Sequence, residues 1–93
     1  MTMVVKDPDT RIDFEFDWTA ACSDGRAVVA SAWTVTPDEA EGVTAAAAGH
    51  DLMLSTATLA GGIAGHVYRV TNRVTLSDGQ IDERSMAMRV EER

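Results

Sequence analysis

The sequence predicts an all-β fold, an immunoglobulin-like antiparallel β-sandwich of about seven strands. Three observations lead there. Apolar and polar residues alternate with period two in several stretches, as they do in half-buried strands. Turn residues break the chain at intervals of roughly 8–12 residues, the spacing of a sandwich. Trp33 falls on the third of these strands, where immunoglobulin-like folds bury a tryptophan, and Gly65, Tyr68 and Val70 are spaced like a tyrosine corner at the start of the sixth. Phe16 and Val70 then take the places of the usual disulfide pair; a generic sandwich or barrel is the alternative that the same strands allow. The 93 residues make one domain, 1–93. A chain of this length buries roughly 60–65% of its unfolded surface, enough for a core without metal or disulfide but with little margin.

The elements follow in order. "MVV" (3–5) supplies a short first strand before the turn "KDPD". "IDFEFDW" (12–18) alternates throughout, with Ile12, Phe14, Phe16 and Trp18 facing inward and Asp13, Glu15 and Asp17 outward. "SDG" (23–25) is a turn, and "VVASAWTV" (28–35) a strand with Val29, Trp33 and Val35 on its inner face. In "TPDEAEG" (36–42), Thr36, Pro37 and Glu39 mimic the start of one helical turn, which Gly42 would end. "VTAAAAG" (43–49) carries helix formers but no apolar stripe and reads as a short strand. "LMLSTATL" (52–59) is a β-rich run, and "AGGIAG" (60–65) a glycine-dense turn. "HVYRVTNRVTL" (66–76) is the longest strand, with Tyr68, Val70, Asn72, Val74 and Leu76 on one face. Asp78 and Gly79 form a hairpin turn whose two central residues both take positive φ. The last strand runs to about Val90 with Met86, Met88 and Val90 inward.

Charge excludes several functions. The chain carries 15 acids and 8 Lys plus Arg, a net charge of -7. That argues against nucleic acid, whose phosphates require clustered cations. No apolar run of about 18 residues is present to span a membrane, and the N-terminus lacks the basic-then-apolar pattern of a signal peptide. The lone Cys22 permits no intramolecular disulfide and no Cys-rich zinc site, which suits assembly in a reducing cytoplasm. The acids are concentrated early: residues 1–51 hold ten acids and three bases, residues 52–93 five of each.

Candidate chemistry is sparse. His50 and His66 lack a nucleophile motif, and the paired carboxylates of "DFEFD" lie two apart on an open strand face rather than in a cleft. Asp7 and Asp9 fall short of the six to eight oxygens of a calcium site unless the acids at 38–41 join them. No catalytic residue, cofactor or metal ligand is assigned. Asn72 interrupts an apolar face; a buried amide needs partners, so it anchors a neighbouring loop or, as the alternative, contacts a ligand. The outward acids Asp13, Glu15 and Asp17 and the outward Arg69, Arg73 and Arg89 lie in opposite sheets of such a fold. An acidic face and an arginine face would suit self-association or an acidic partner.

Taken together, "KDPD" (6–9), "FDW" (16–18), "SAWTV" (31–35), the glycines at 61, 62 and 65, and above all "YRVTNRVTLSDGQIDERS" (68–85) resemble a family of small tailed-phage and prophage proteins. These are virion structural proteins, described as fiber–tail adaptor or head–tail region proteins. The resemblance covers most of the chain and departs at 39–51, which is more alanine-rich. It implies an immunoglobulin-like sandwich, a non-catalytic role in the virion and assembly in the bacterial host cytoplasm. It implies tail, fiber or connector proteins as partners. A carbohydrate-binding or adhesion module on the particle is the alternative; against it, Phe14, Phe16, Trp18, Trp33 and Tyr68 all fall on inward faces.

Overall fold

A computed structural model describes residues 3–92. Seven strands are present: β1 (Met3–Lys6), β2 (Arg11–Asp17), β3 (Val28–Thr36), β4 (Thr44–His50), β5 (Leu54–Ala60), β6 (Val67–Leu76) and β7 (Ile81–Val90). They form a four-stranded sheet in the order β1-β7-β6-β3 and a three-stranded sheet in the order β2-β5-β4. All pairs are antiparallel except β1 with β7, where Met3 to Lys6 run parallel to Ala87 to Val90.

The alternation read in the sequence sets which residues meet between the sheets. β6 buries Tyr68, Val70, Asn72, Val74 and Leu76, and β7 buries Met86, Met88 and Val90. β5 answers with Ser55, Ala57 and Leu59. Ile12, Phe14 and Phe16 pack against this core but stay half-buried, because β2 is the edge of its sheet. Full burial of each large aliphatic side chain contributes about 1.5–3 kcal/mol.

Four details depart from the sequence-based expectations. A register shift between Val28 and Ala30 reverses the start of β3, so Val28 is buried and Val29 is 55% exposed. Residues 37–43 form a turn rather than a helical one: Gly42 N–H bonds the Glu39 carbonyl, and the Glu39 side chain is drawn to Tyr68 and His66. In the hairpin only Gly79 takes positive φ, at 89°. Bonds from Gly79 N–H to Leu76 O and from Leu76 N–H to Gln80 O close a three-residue loop of Ser77, Asp78 and Gly79, so Asp78 is spared the left-handed region. Finally, β5 starts at Leu54, leaving Leu52 and Met53 in the turn after β4.

The body is elongated, 43 × 21 × 18 Å. The β2–β3, β4–β5 and β6–β7 connections cluster at one end, and the β1–β2, β3–β4 and β5–β6 connections at the other.

Candidate interaction surfaces

The two charged sets sit on opposite sheets. Asp13, Glu15 and Asp17 are exposed on β2, and Arg69, Arg73 and Arg89 are exposed on β6 and β7. The acids are partly engaged. Asp13 Oδ1 accepts from Thr58 Oγ1 at 2.8 Å. Asp17 Oδ1 accepts the Thr19 hydroxyl and, at 2.9 Å, the Thr19 N–H, which hold its carboxyl below the ordinary value. The arginine set is not a bare cationic patch. Arg73 pairs with Glu83 at 3.6 Å and Arg89 with Glu91 at 2.6 Å, so this face is of mixed sign. Exposed pairs of this kind contribute only about 0–1 kcal/mol.

The residues singled out as structural do more specific things than their sequence positions show. Asn72, fully buried on β6, joins the two sheets. Its Oδ1 accepts from Trp18 Nε1 at 3.0 Å and from Ser55 Oγ on β5. Its Nδ2 donates to Ser31 Oγ at 2.8 Å and to Ala32 O at 3.0 Å on β3. Rather than holding a single loop, the amide therefore ties β3, β5 and the end of β2 together. Trp18, fully buried, is the tryptophan at this centre, and Arg84 from β7 lies over its ring at 4.6 Å while donating to Asp17 O at 2.6 Å. Trp33 is only half-buried. It stacks on Phe16 with centroids 5.6 Å apart, and its Nε1 is buried with no partner.

At the opposite end, Tyr68 closes a corner. Its hydroxyl accepts from Ile63 N–H at 3.1 Å, a few residues upstream, and donates to Glu39 Oε1. His66 Nδ1 meets the same carboxylate oxygen at 2.9 Å. The Tyr68 and His66 contacts hold Glu39 below the ordinary carboxyl value, whereas burial, then the Glu39 bond, pushes the Tyr68 phenol up. Asp78 and Gly79 occupy the hairpin tip, where Arg26 reaches Gln80 Oε1 at 2.7 Å and Asp78 Oδ2 at 3.4 Å.

Two features escaped the sequence reading. Lys6 is buried, 1% exposed, with Nζ donating to Asp7 O at 2.8 Å and Gly61 O at 2.7 Å. Burial lowers its pKa, against the opposing pull of Asp7 and Asp9. No sequence signal marks it, since a lysine beside "DPD" reads as surface. Leu52 and Met53 are 67% and 41% exposed; the signal was the broken alternation of "LML". Among the described residues no group of three or more His, Cys, Asp or Glu is placed to hold a metal ion, and no helix is long and apolar enough to cross a membrane. Asp7 and Asp9 thus do not combine with the acids at 38–41 into a calcium cage.

A β1-β7-β6-β3 sheet packed on a β2-β5-β4 sheet, with a tyrosine corner opening β6, defines an immunoglobulin-like sandwich. The fold is similar to the solution structure of the PKD domain from KIAA 1837 protein, with TM-score 0.59 and 21% identity over 98% of this chain and 79% of that one. Residues 6–89 match the model of the family described as Podophage GP4 fiber-tail adaptor protein gp77, and the chain belongs to that family. A comparison with curated protein sequences finds no match.

Proposed function

We propose that this protein is a non-catalytic component of a phage tail that joins fiber to tail through protein–protein contacts, assembled with the virion in the host cytoplasm. The observation that carries this reading is the fiber-tail adaptor family match, which spans residues 6–89. The geometry supports it. His50 is exposed beside its neighbour's carbonyl, Asp51 O at 3.2 Å, and His66 braces Glu39 at the surface. Cys22 is buried with Sγ toward Leu52 O. None of these groups forms a nucleophile–base pair. The elongated body has a loop cluster at each end, a shape suited to contacting two neighbours. Its faces bear Asp13, Glu15 and Asp17 on one side and Arg69, Arg73 and Arg89 on the other, which suit contacts with tail, fiber or connector proteins or with further copies of the chain. Sugar binding is disfavoured because no Phe, Tyr or Trp ring is exposed among the described residues: Trp18 and Tyr68 are buried, and Phe14, Phe16 and Trp33 half-buried.

The test is direct binding. Purified protein is immobilised and presented with the purified tail and fiber proteins of the same phage, at low and high salt. The reading expects binding to both. Binding to neither, with all three proteins folded, refutes it.

A further inference from the structure

We propose that the end of the sandwich carrying Leu52 and Met53 is a docking tip that inserts these two side chains into an apolar pocket rimmed by Lys and Arg on a phage structural protein. This rests on the adaptor reading and names the surface that performs it.

The first observation is exposure that the fold enforces. Leu52 and Met53 are adjacent, and both side chains stand in water, 67% and 41% exposed. A mobile turn would fold such residues onto the nearby core. This one is prevented by its own backbone. Leu52 O accepts from Val28 N–H at 2.9 Å and from Cys22 Sγ, and Met53 O accepts from Trp18 N–H at 2.7 Å. Asp51 Oδ1 accepts from Met53 N–H at 2.9 Å and Leu54 N–H at 2.8 Å, and Asp51 N–H bonds Leu54 O. With the main chain tied to the β2–β3 connection on one side and to Asp51 on the other, the turn is held with both side chains at the surface. A contact residue held in its bound conformation before binding loses little entropy on docking. Leucine and methionine suit an apolar pocket, methionine being the more adaptable. A hollow of about 460 Å³ beside them, between Thr19 and residues 51–54, would receive a ridge of the partner.

The second observation is charge, and it selects the occupant. The connections at this end carry Asp24, Asp51 and Asp78, with Asp17 at the end of β2. Two arginines lie nearby and offset part of this charge, Arg26 paired with Asp78 and bonded to Gln80, and Arg84 over Trp18 and bonded to Asp17 O, which leaves the carboxylates in excess. An apolar tip at an end with an excess of carboxylates fits an apolar pocket with a basic rim. It disfavours a second copy of the same end, where the carboxylates would face one another.

The experiment measures binding of purified tail protein and of purified fiber protein to the wild type and to Leu52→Ser/Met53→Ser. Both side chains are exposed and the bonds of the turn are largely main-chain, so far-UV circular dichroism should be unchanged. The proposal expects at least about 30-fold weaker binding to one of the two proteins, the loss typical of a hot spot, with binding to the other intact, and wild-type affinity that falls with added salt. A second measurement needs no variant: the Met53 and Leu52 methyl NMR signals of the wild type should shift or broaden on adding that protein. Unchanged affinity for both proteins, or unmoved methyl signals in a formed complex, overturns the docking tip and leaves the adaptor reading standing. A wild type that binds neither protein overturns both.

Discussion

Replacing Asn72 with leucine should destabilise the fold by about 3.5 kcal/mol. Leucine matches the asparagine in shape but makes none of its four hydrogen bonds. Trp18 Nε1 keeps Ser55 Oγ at 3.0 Å, and Ser31, half-buried, can turn to water. The Ser55 hydroxyl cannot: Ser55 is 0% exposed and its proton is left without its acceptor. A stranded buried donor costs about 1–3 kcal/mol and each of the other lost bonds a net ~0.5–1.5. The added apolar burial offsets roughly 1–2 kcal/mol of this. Mid-range values leave about 3.5 kcal/mol, or a fall in Tm of roughly 14–28 °C for a domain of this size. Urea unfolding followed by tryptophan fluorescence and by circular dichroism measures it. A double-mutant cycle with Trp18→Phe should show coupling of at least ~0.5 kcal/mol, because the two side chains share a bond. A loss below about 1 kcal/mol for Asn72→Leu, or additive single variants, would refute the claim that this amide joins the sheets.

Other consequences are as concrete. Trp18→Phe should cost at least about 1 kcal/mol more than Trp33→Phe, since the indole N–H of Trp18 is doubly bonded and that of Trp33 is unpaired; equal urea midpoints would contradict this. Gly79→Val should lower stability by about 1–2 kcal/mol through backbone strain alone, because φ is 89° and an added Cβ would meet nothing within 4 Å. Asp82→Ala, at an exposed position, should stay within about 0.5 kcal/mol, so the same thermal melt separates the two. Glu39 is held below its unfolded pKa of about 4.3, so its contribution is present above that value and is lost as pH falls through the depressed folded pKa. The acid-unfolding curve of Glu39→Gln should therefore be flatter than wild type below about pH 5, and superimposable curves would contradict the latch to Tyr68 and His66.

The strands were legible because one face of each is wet. The alternation in Ile12 to Trp18 and in Tyr68 to Leu76 is set by burial, and burial is what the sequence records. Val29 was misread because a bulge advances the register by one residue, and side-chain identity carries little trace of a bulge when Val28 and Val29 are the same. Glu39 was misread because local capping preferences suggested a helical start, whereas its real partners, Tyr68 and His66, lie far along the chain. Asn72 announced itself as an anomaly on an apolar face, yet nothing local said that Trp18, Ser31 and Ser55 would meet it. Period-two alternation marked the charged residues as outward, and the immunoglobulin-like topology placed their strands in opposite sheets. That Glu83 and Glu91 neutralise two of the arginines follows from cross-strand register and rotamer, which the pattern does not encode. The exposed Leu52 and Met53 looked like strand because their hydrophobicity is strand-like; the hydrogen bonds that fix their turn come from the distant main chain of Trp18 and Val28 as well as from the neighbouring Asp51 carboxylate.

The most direct test of the adaptor account is reconstitution on the particle. Phage lacking this gene are grown, purified and imaged by electron microscopy, then incubated with purified fiber protein with and without this protein. The account predicts tails without fibers, and fibers restored only when both proteins are added. Particles that carry a full set of fibers in the absence of this protein would contradict it.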